Sequence, residues 1–114
     1  MAAFQKQAME DFETRAVRHL RRNLPKPTAK WSDDDLRRRV RECIPRAKEY
    51  DLVSEQQVIC FVDTSYLLGE NFDKDSKYDW SPELLKSTEL SPRDKAHRLR
   101  AAACNIYKNT EVGK

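Results

Sequence analysis

Glycine is nearly absent from this sequence, with two residues in 114. Phosphate-binding loops and dinucleotide fingerprints need several glycines close together, because only glycine lets the backbone approach a phosphate closely enough. Sheet architectures with many tight turns also use more glycine than this chain has. The shortage therefore excludes a glycine-rich phosphate cradle and favours helices over turn-rich sheets.

Cysteine is also scarce, and the three residues lie far apart, at Cys43, Cys60 and Cys104. A disulfide framework or a zinc site needs paired ligands at short spacings. We therefore predict reduced, structural thiols in a cytoplasmic protein. The longest apolar run, residues 58–62, is far shorter than the roughly 20 residues of a membrane span, and no apolar segment typical of a signal peptide opens the sequence.

Motifs for catalysis and for cofactors are missing as well. No nucleophile elbow, Walker loop or H-E-x-x-H sequence occurs. His19 and His97 have no cysteine or carboxylate at a ligand spacing, so we interpret both as solvated. The stretch that begins at Asp73 has Tyr78 and Leu84 where a calcium loop needs glycine and glutamate. The sequence nominates no catalytic residue, metal ligand or cofactor, and we predict a protein that is not an enzyme.

One segment organises the rest of the chain. Eight of the eleven residues from 58 to 68 are apolar or aromatic, although 36% of the whole chain is charged. Ser54 and Gln57 match a capping box, and Gly69 stands where a left-handed residue closes a helix. We predict a buried central helix over residues 54–68.

Asp63 is the one ionisable residue in the interior of this helix. If it is buried it needs a partner, because an unpaired charge out of water is costly, and an arginine of the second helix is the natural candidate. The alternative is that Asp63 lies on an exposed strip with Gln56 and Thr64. A β-strand over residues 57–63 is the structural alternative, because the periodicity of a short β-branched run is compatible with a strand. The capping signals favour the helix.

Apolar residues recur at helical spacing before this segment. The first helix is predicted over residues 4–24, and Pro25 ends it because proline cannot continue the hydrogen-bond ladder. The second begins after Ser32, which can cap it. Pro45 is expected to kink the second helix. The alternative is that the helix ends near Ile44, with a second short piece to Tyr50.

Two more helices are predicted after the central one. Ser81 and Ser91, each followed by proline, are expected to cap a short fourth helix and a longer fifth helix. Residues 109–114 are expected to form a frayed tail. Together these features predict an all-α fold: a single domain of residues 1–114, built as a compact bundle of about five helices around the buried central helix.

Residues 70–79 are predicted to form a loop between the central and fourth helices. Charge is segregated along the chain, because residues 51–90 contain nine acidic and three basic residues, whereas both ends of the chain are basic. Aromatic residues in and beside the loop are expected to fix it to the core. We predict that a protein partner binds this acidic region, and the contact residues are Asp73, Asp75, Asp79 and Tyr78.

Arginine clusters in the first two helices give an alternative function. A nucleic acid would need several cations on one continuous face, and three aspartates precede the second cluster. A solvated and partly salt-bridged surface is the commoner arrangement of such residues. The candidates for nucleic-acid binding are Arg18, Arg22, Arg37, Arg38 and Arg41.

The central stretch resembles a pattern in small bacterial helical proteins that are often encoded beside type VI secretion spike, adaptor or toxin genes. The resemblance implies a partner-binding role in a toxin delivery or immunity locus, and no particular reaction. We therefore expect an immunity, accessory or adaptor protein whose partner is a toxin or a secretion component. The residues that carry the resemblance are Tyr50, Asp51, Leu52, Ser54, Glu55, Val58, Val62, Asp63, Leu68, Gly69, Phe72, Asp73, Asp75 and Trp80.

Overall fold

The computed structural model describes residues 6–112, with side chains for residues 7–109. Within that range there is no strand, and the predicted all-α fold is confirmed. Two single turns of 3-10 helix, Phe72–Lys74 and Ser76–Tyr78, connect the fourth helix to the fifth. The helices are α1 (Lys6–Asn23), α2 (Pro25–Thr28), α3 (Asp33–Lys48), α4 (Glu55–Leu68), α5 (Trp80–Leu85) and α6 (Pro92–Val112).

Helix α4 lies at the centre of the molecule. Six successive residues, Cys60 to Ser65, are buried, so the helix is enclosed on more than one side. Helices α6, α3, α1 and α2 all pack against it. The hydroxyls of Thr64 and Ser65 donate to carbonyl groups of the same helix at 2.8 and 2.6 Å, which removes the cost of burying them. The alternative of a strand in this segment is therefore wrong.

Both ends of α4 are closed at the predicted residues. Ser54 Oγ accepts the N–H of Gln57 at 3.1 Å, and Gln57 Oε1 accepts the N–H of Ser54 at 3.2 Å, which completes the capping box. Gly69 ends the helix with a φ of 125°. Its ψ of 154° is extended, so the residue lies in a region open essentially to glycine and not in the left-handed helical region.

The prolines interrupt helices less than expected. Pro25 follows the end of α1 but is also the first residue of α2, where its missing N–H would have no helical partner in any case. Pro45 lies inside α3, which runs on to Lys48 as one helix, so the alternative of an end near Ile44 is wrong, while the expected kink stays a prediction. Arg41 and Pro45 are both exposed, and water can bind the Arg41 carbonyl that loses its donor.

The start of α5 departs from the prediction, whereas the start of α6 agrees with it. Ser81 does not cap α5, because its buried hydroxyl donates instead to the carbonyl of Phe72 at 3.4 Å. Ser91 caps α6 as predicted and accepts a first-turn N–H at 3.1 Å. Helix α6 continues to Val112, past Asn109 where the predicted frayed tail begins, and the last two residues lie outside the described range.

Aromatic rings tie the outer elements to α4. Phe12 of α1, Phe61 of α4 and Phe72 are fully buried, and the rings of Phe61 and Phe72 lie 5.1 Å apart. Phe72 thereby fixes the loop after α4 to the core, as predicted. Among the described helices none has the length and apolar character needed to cross a membrane.

Candidate functional site

Asp63 is completely buried in the middle of α4, so the alternative of an exposed strip is wrong. Its carboxylate accepts Nε of Arg100 at 2.6 Å and Nε2 of His19 at 2.9 Å. The hydrogen bond to Asp63 raises the pKa of the Arg100 guanidinium. These partners belong to α6 and α1, so the predicted pairing with an arginine of the second helix is also wrong. The contact joins three helices through one carboxylate.

His19 belongs to this cluster and is not the solvated residue that the sequence predicts. Its side chain is 27% exposed, and Asn23 donates to Nδ1 at 3.1 Å while Nε2 faces Asp63. His97 is exposed, as predicted. No sequence signal could reveal the His19–Asp63–Arg100 cluster, because its members are 44 and 37 residues apart.

An arginine of α3 does contact α4, but at the residues two and three positions after Asp63. Arg39 donates to Ser65 Oγ at 3.2 Å, and its guanidinium lies 4.2 Å from the centre of the Tyr66 ring. The side chain is 11% exposed, so this cation–π contact is largely screened from water. Arg39 is therefore a packing residue between α3 and α4.

A second buried carboxylate, that of Asp73, fixes the acidic loop, residues 70–79, to the rest of the fold. Asp73 accepts a guanidinium N–H of Arg46 at 2.7 Å and the hydroxyl of Tyr50 at 2.8 Å. Burial and the neighbouring carboxylate raise the pKa of Tyr50 to about 12. Because the Asp73 side chain is 2% exposed and both oxygens are bound, it is unavailable to a partner, and we remove it from the predicted contact surface.

The other predicted contact residues lie at the surface. Asp75 and Asp79 are exposed and Tyr78 is half-buried. Asp75 also accepts the N–H of Lys77 at 2.9 Å, which shapes the second 3-10 turn. The ammonium of Lys77 lies 5.7 Å from the centre of the Tyr78 ring. The loop therefore exposes two carboxylates and part of one aromatic ring, and a hydrogen bond fixes its backbone at Lys77.

The predicted arginines divide into paired and unpaired residues. Arg37 and Arg41 both contact the buried Glu13, at 3.5 and 3.1 Å, and Arg38 pairs with Asp35 at 2.9 Å. These pairs satisfy much of the cationic charge of α3 within the fold.

Arg18 and Arg22 differ, because both are exposed and neither has an ion pair or hydrogen bond within residues 6–112. Together with Arg37 they line an open groove of about 510 Å³ between α1 and α3, here called the arginine groove. Arg38 and Arg41 are not part of it. The residues that line the arginine groove are Thr14, Val17, Arg18, Arg21, Arg22, Asp33 and Arg37.

Comparison with protein-family models, with curated proteins and with solved structures gave no match. Within residues 6–112 no three histidine, cysteine or carboxylate side chains are grouped so that they could hold a metal ion. The class of protein is therefore defined by the fold and its surfaces: an all-α bundle with a fixed acidic loop and a separate arginine groove.

Proposed function

We propose that this protein is a non-enzymatic interaction module and that the acidic loop is its contact surface. The observation that carries the proposal is that some residues of the loop are buried in the core while others are exposed to solvent. Phe72 and Asp73 are buried and fix the backbone, whereas Asp75 and Asp79 remain exposed. A loop that is already ordered loses little conformational entropy when a partner binds.

The exposed carboxylates of the loop support a basic protein surface as the partner. Exposed rim charges chiefly accelerate encounter with an oppositely charged partner, and the half-exposed ring of Tyr78 offers the aromatic contact typical of interface centres. The resemblance of the central stretch supports a toxin or secretion component as partner, and an immunity, accessory or adaptor role. The three free thiols support a cytoplasmic location.

Affinity capture from the native cell, followed by binding kinetics with the captured partner, tests this proposal. Reversing Asp75 and Asp79 to lysine should slow association at low salt by about tenfold and weaken its salt dependence. The melting temperature should fall by only a few degrees, through loss of the hydrogen bond from the Lys77 N–H to Asp75. Asp73 is left intact because a lysine there would face Arg46 in a buried position.

A matched control reverses Glu10 and Asp34, which are exposed acids of α1 and α3 and lie outside the loop. This variant has the same net charge as the loop variant, but its association rate should stay closer to that of the wild type. Equal rates for the loop variant and the wild type would remove the loop from the interface.

Nucleic-acid binding is the second candidate function. It is favoured by the unpaired Arg18 and Arg22, which lie in one groove with Arg21 and Arg37. Titration of a nonspecific duplex against salt tests it, because phosphate contacts release counterions and weaken steeply as salt rises. Binding at low salt that is lost on changing Arg18 and Arg22 to glutamate would support it, and no binding at low salt ends it.

A further inference from the structure

An apolar groove lies where α2 faces the C-terminal half of α6, with α4 behind it. Its volume is about 310 Å³, near the lower limit of small-molecule sites at about 300 to 1,000 Å³. A water-sized group takes about 30 Å³, so the groove holds roughly ten groups of methylene size. The walls are formed by Leu24, Pro25, Pro27, Leu67, Cys104 and Tyr107.

Cationic side chains surround these apolar walls. Arg100, Lys108 and Lys26 line the groove, and none of its described lining residues is acidic. Lys108 is exposed and makes no ion pair within the described part of the chain. The groove therefore combines an apolar interior with a basic edge.

Arg100 is suited to receive an anion at this edge. Its Nε donates to the buried Asp63 at 2.6 Å, which fixes the side chain. Its two terminal amino groups form no hydrogen bond with any other described residue, and 36% of the side chain is exposed. A guanidinium that is already fixed in place binds a carboxylate with little further loss of entropy.

We propose that the apolar groove binds a medium-chain aliphatic carboxylate, with the hydrocarbon against Leu24, Leu67 and Tyr107 and the carboxylate at Arg100 and Lys108. Charge complementarity selects this occupant. A neutral chain would leave Lys108 without a counterion and the two terminal amino groups of Arg100 without an anionic acceptor, and an aliphatic amine would be repelled. The site is independent of the acidic loop, because it uses other residues and the opposite charge.

Cys104 provides a direct measure of occupancy. It is partly exposed within the groove, whereas Cys43 and Cys60 are buried. Decanoate should slow the alkylation of Cys104 by iodoacetamide about tenfold at saturation, read by mass spectrometry on the full chain. Decanol and decylamine at the same concentration should protect much less. Cys43 and Cys60 are buried, so their continued resistance to alkylation shows that the additives leave the protein folded.

Charge reversal at Lys108 separates specific binding from general hydrophobic shielding. Lys108→Glu changes an exposed residue, so the fold should persist, and it should raise the decanoate concentration for half-protection several-fold. Lys86→Glu, an exposed lysine outside the groove, is the matched control and should have a smaller effect. Equal protection by decanol and decanoate, or an equal response of the two variants, would overturn the proposal. Stronger protection by a short peptide that ends in leucine would also overturn it, because the groove would then belong to a protein terminus.

Discussion

Two carboxylates of the central region, Asp63 and Asp73, are buried and form similar hydrogen bonds, yet they connect different parts of the fold. Each accepts one arginine and one further donor. The partners of Asp63 come from α1 and α6, so this carboxylate joins three helices. The partners of Asp73 are both found between residues 46 and 50, so this carboxylate joins one loop to the end of one helix. The same chemistry stabilises the bundle in one place and shapes a surface in the other.

The first and largest test of this difference removes the cation beside Asp63. Arg100→Met leaves a fully buried carboxylate with His19 as its remaining partner, and breaking a buried pair in this way costs about 3 to 5 kcal/mol. Chemical denaturation measures the loss in the free energy of unfolding.

The double variant Asp63→Leu, Arg100→Met is the control for that loss. It removes both charges, so it should be clearly more stable than Arg100→Met alone, because no unpaired charge remains in the core. A loss of less than about 1 kcal/mol in the unfolding free energy of Arg100→Met would show that the buried Asp63 does not depend on this cation. The proposed difference between Asp63 and Asp73 would then be wrong.

Asp73→Ala should have a smaller and more local effect. It removes two hydrogen bonds from the loop, at an expected cost of about 2 kcal/mol, and leaves Arg46 still able to reach water. Trypsin should then cleave faster after Lys74 and Lys77, which are exposed residues of the same loop. Asp79→Ala is the control, because Asp79 is exposed and forms no hydrogen bond through its side chain within residues 6–112. Equal cleavage of the two variants would mean that Asp73 does not hold the loop.

The last expected effect is absent at neutral pH, because it concerns alkaline pH and the neighbourhood of Asp63. Burial, with the Asp63 carboxylate adding to it, raises the pKa of the Cys60 thiol from 9.0 to about 11. The unfolded chain therefore loses this proton first, so the stabilisation is complete below pH 9 and is lost as the pH rises to about 11. Cys60→Ala should make the fall in unfolding free energy across this window shallower by up to about 1.4 kcal/mol per pH unit. An unchanged slope in denaturation measured at pH 9, 10 and 11 would contradict the assignment.

Sequence signals located those features that depend on neighbours in the chain. The capping box of Ser54 and Gln57, the cap at Ser32 and the stop at Gly69 each involve residues within one helical turn or a single backbone conformation. The periodic apolar residues likewise predict an all-α bundle with α4 at its centre. These are local properties, and local properties can be derived from a sequence.

The partners of the buried acids could not be derived in this way. Charge counting shows that a buried Asp63 needs a cation, but many arginines satisfy that condition, and only the packing of α6 and α1 selects Arg100 and His19. Asp73 and Asp75 are alike in sequence, and the difference between a buried anchor and an exposed contact residue arises from Tyr50 and Arg46, more than 20 residues away.

Hydrogen exchange along α4 tests the central claim most directly, since that claim makes α4 the enclosed core of the bundle, held by Asp63. Amides from Val58 to Ser65 should exchange only through global unfolding, with an opening free energy equal to the unfolding free energy from denaturation. Amides of the acidic loop should open at a lower free energy. An opening free energy for α4 that is lower than that of α1 or of the loop would contradict the account.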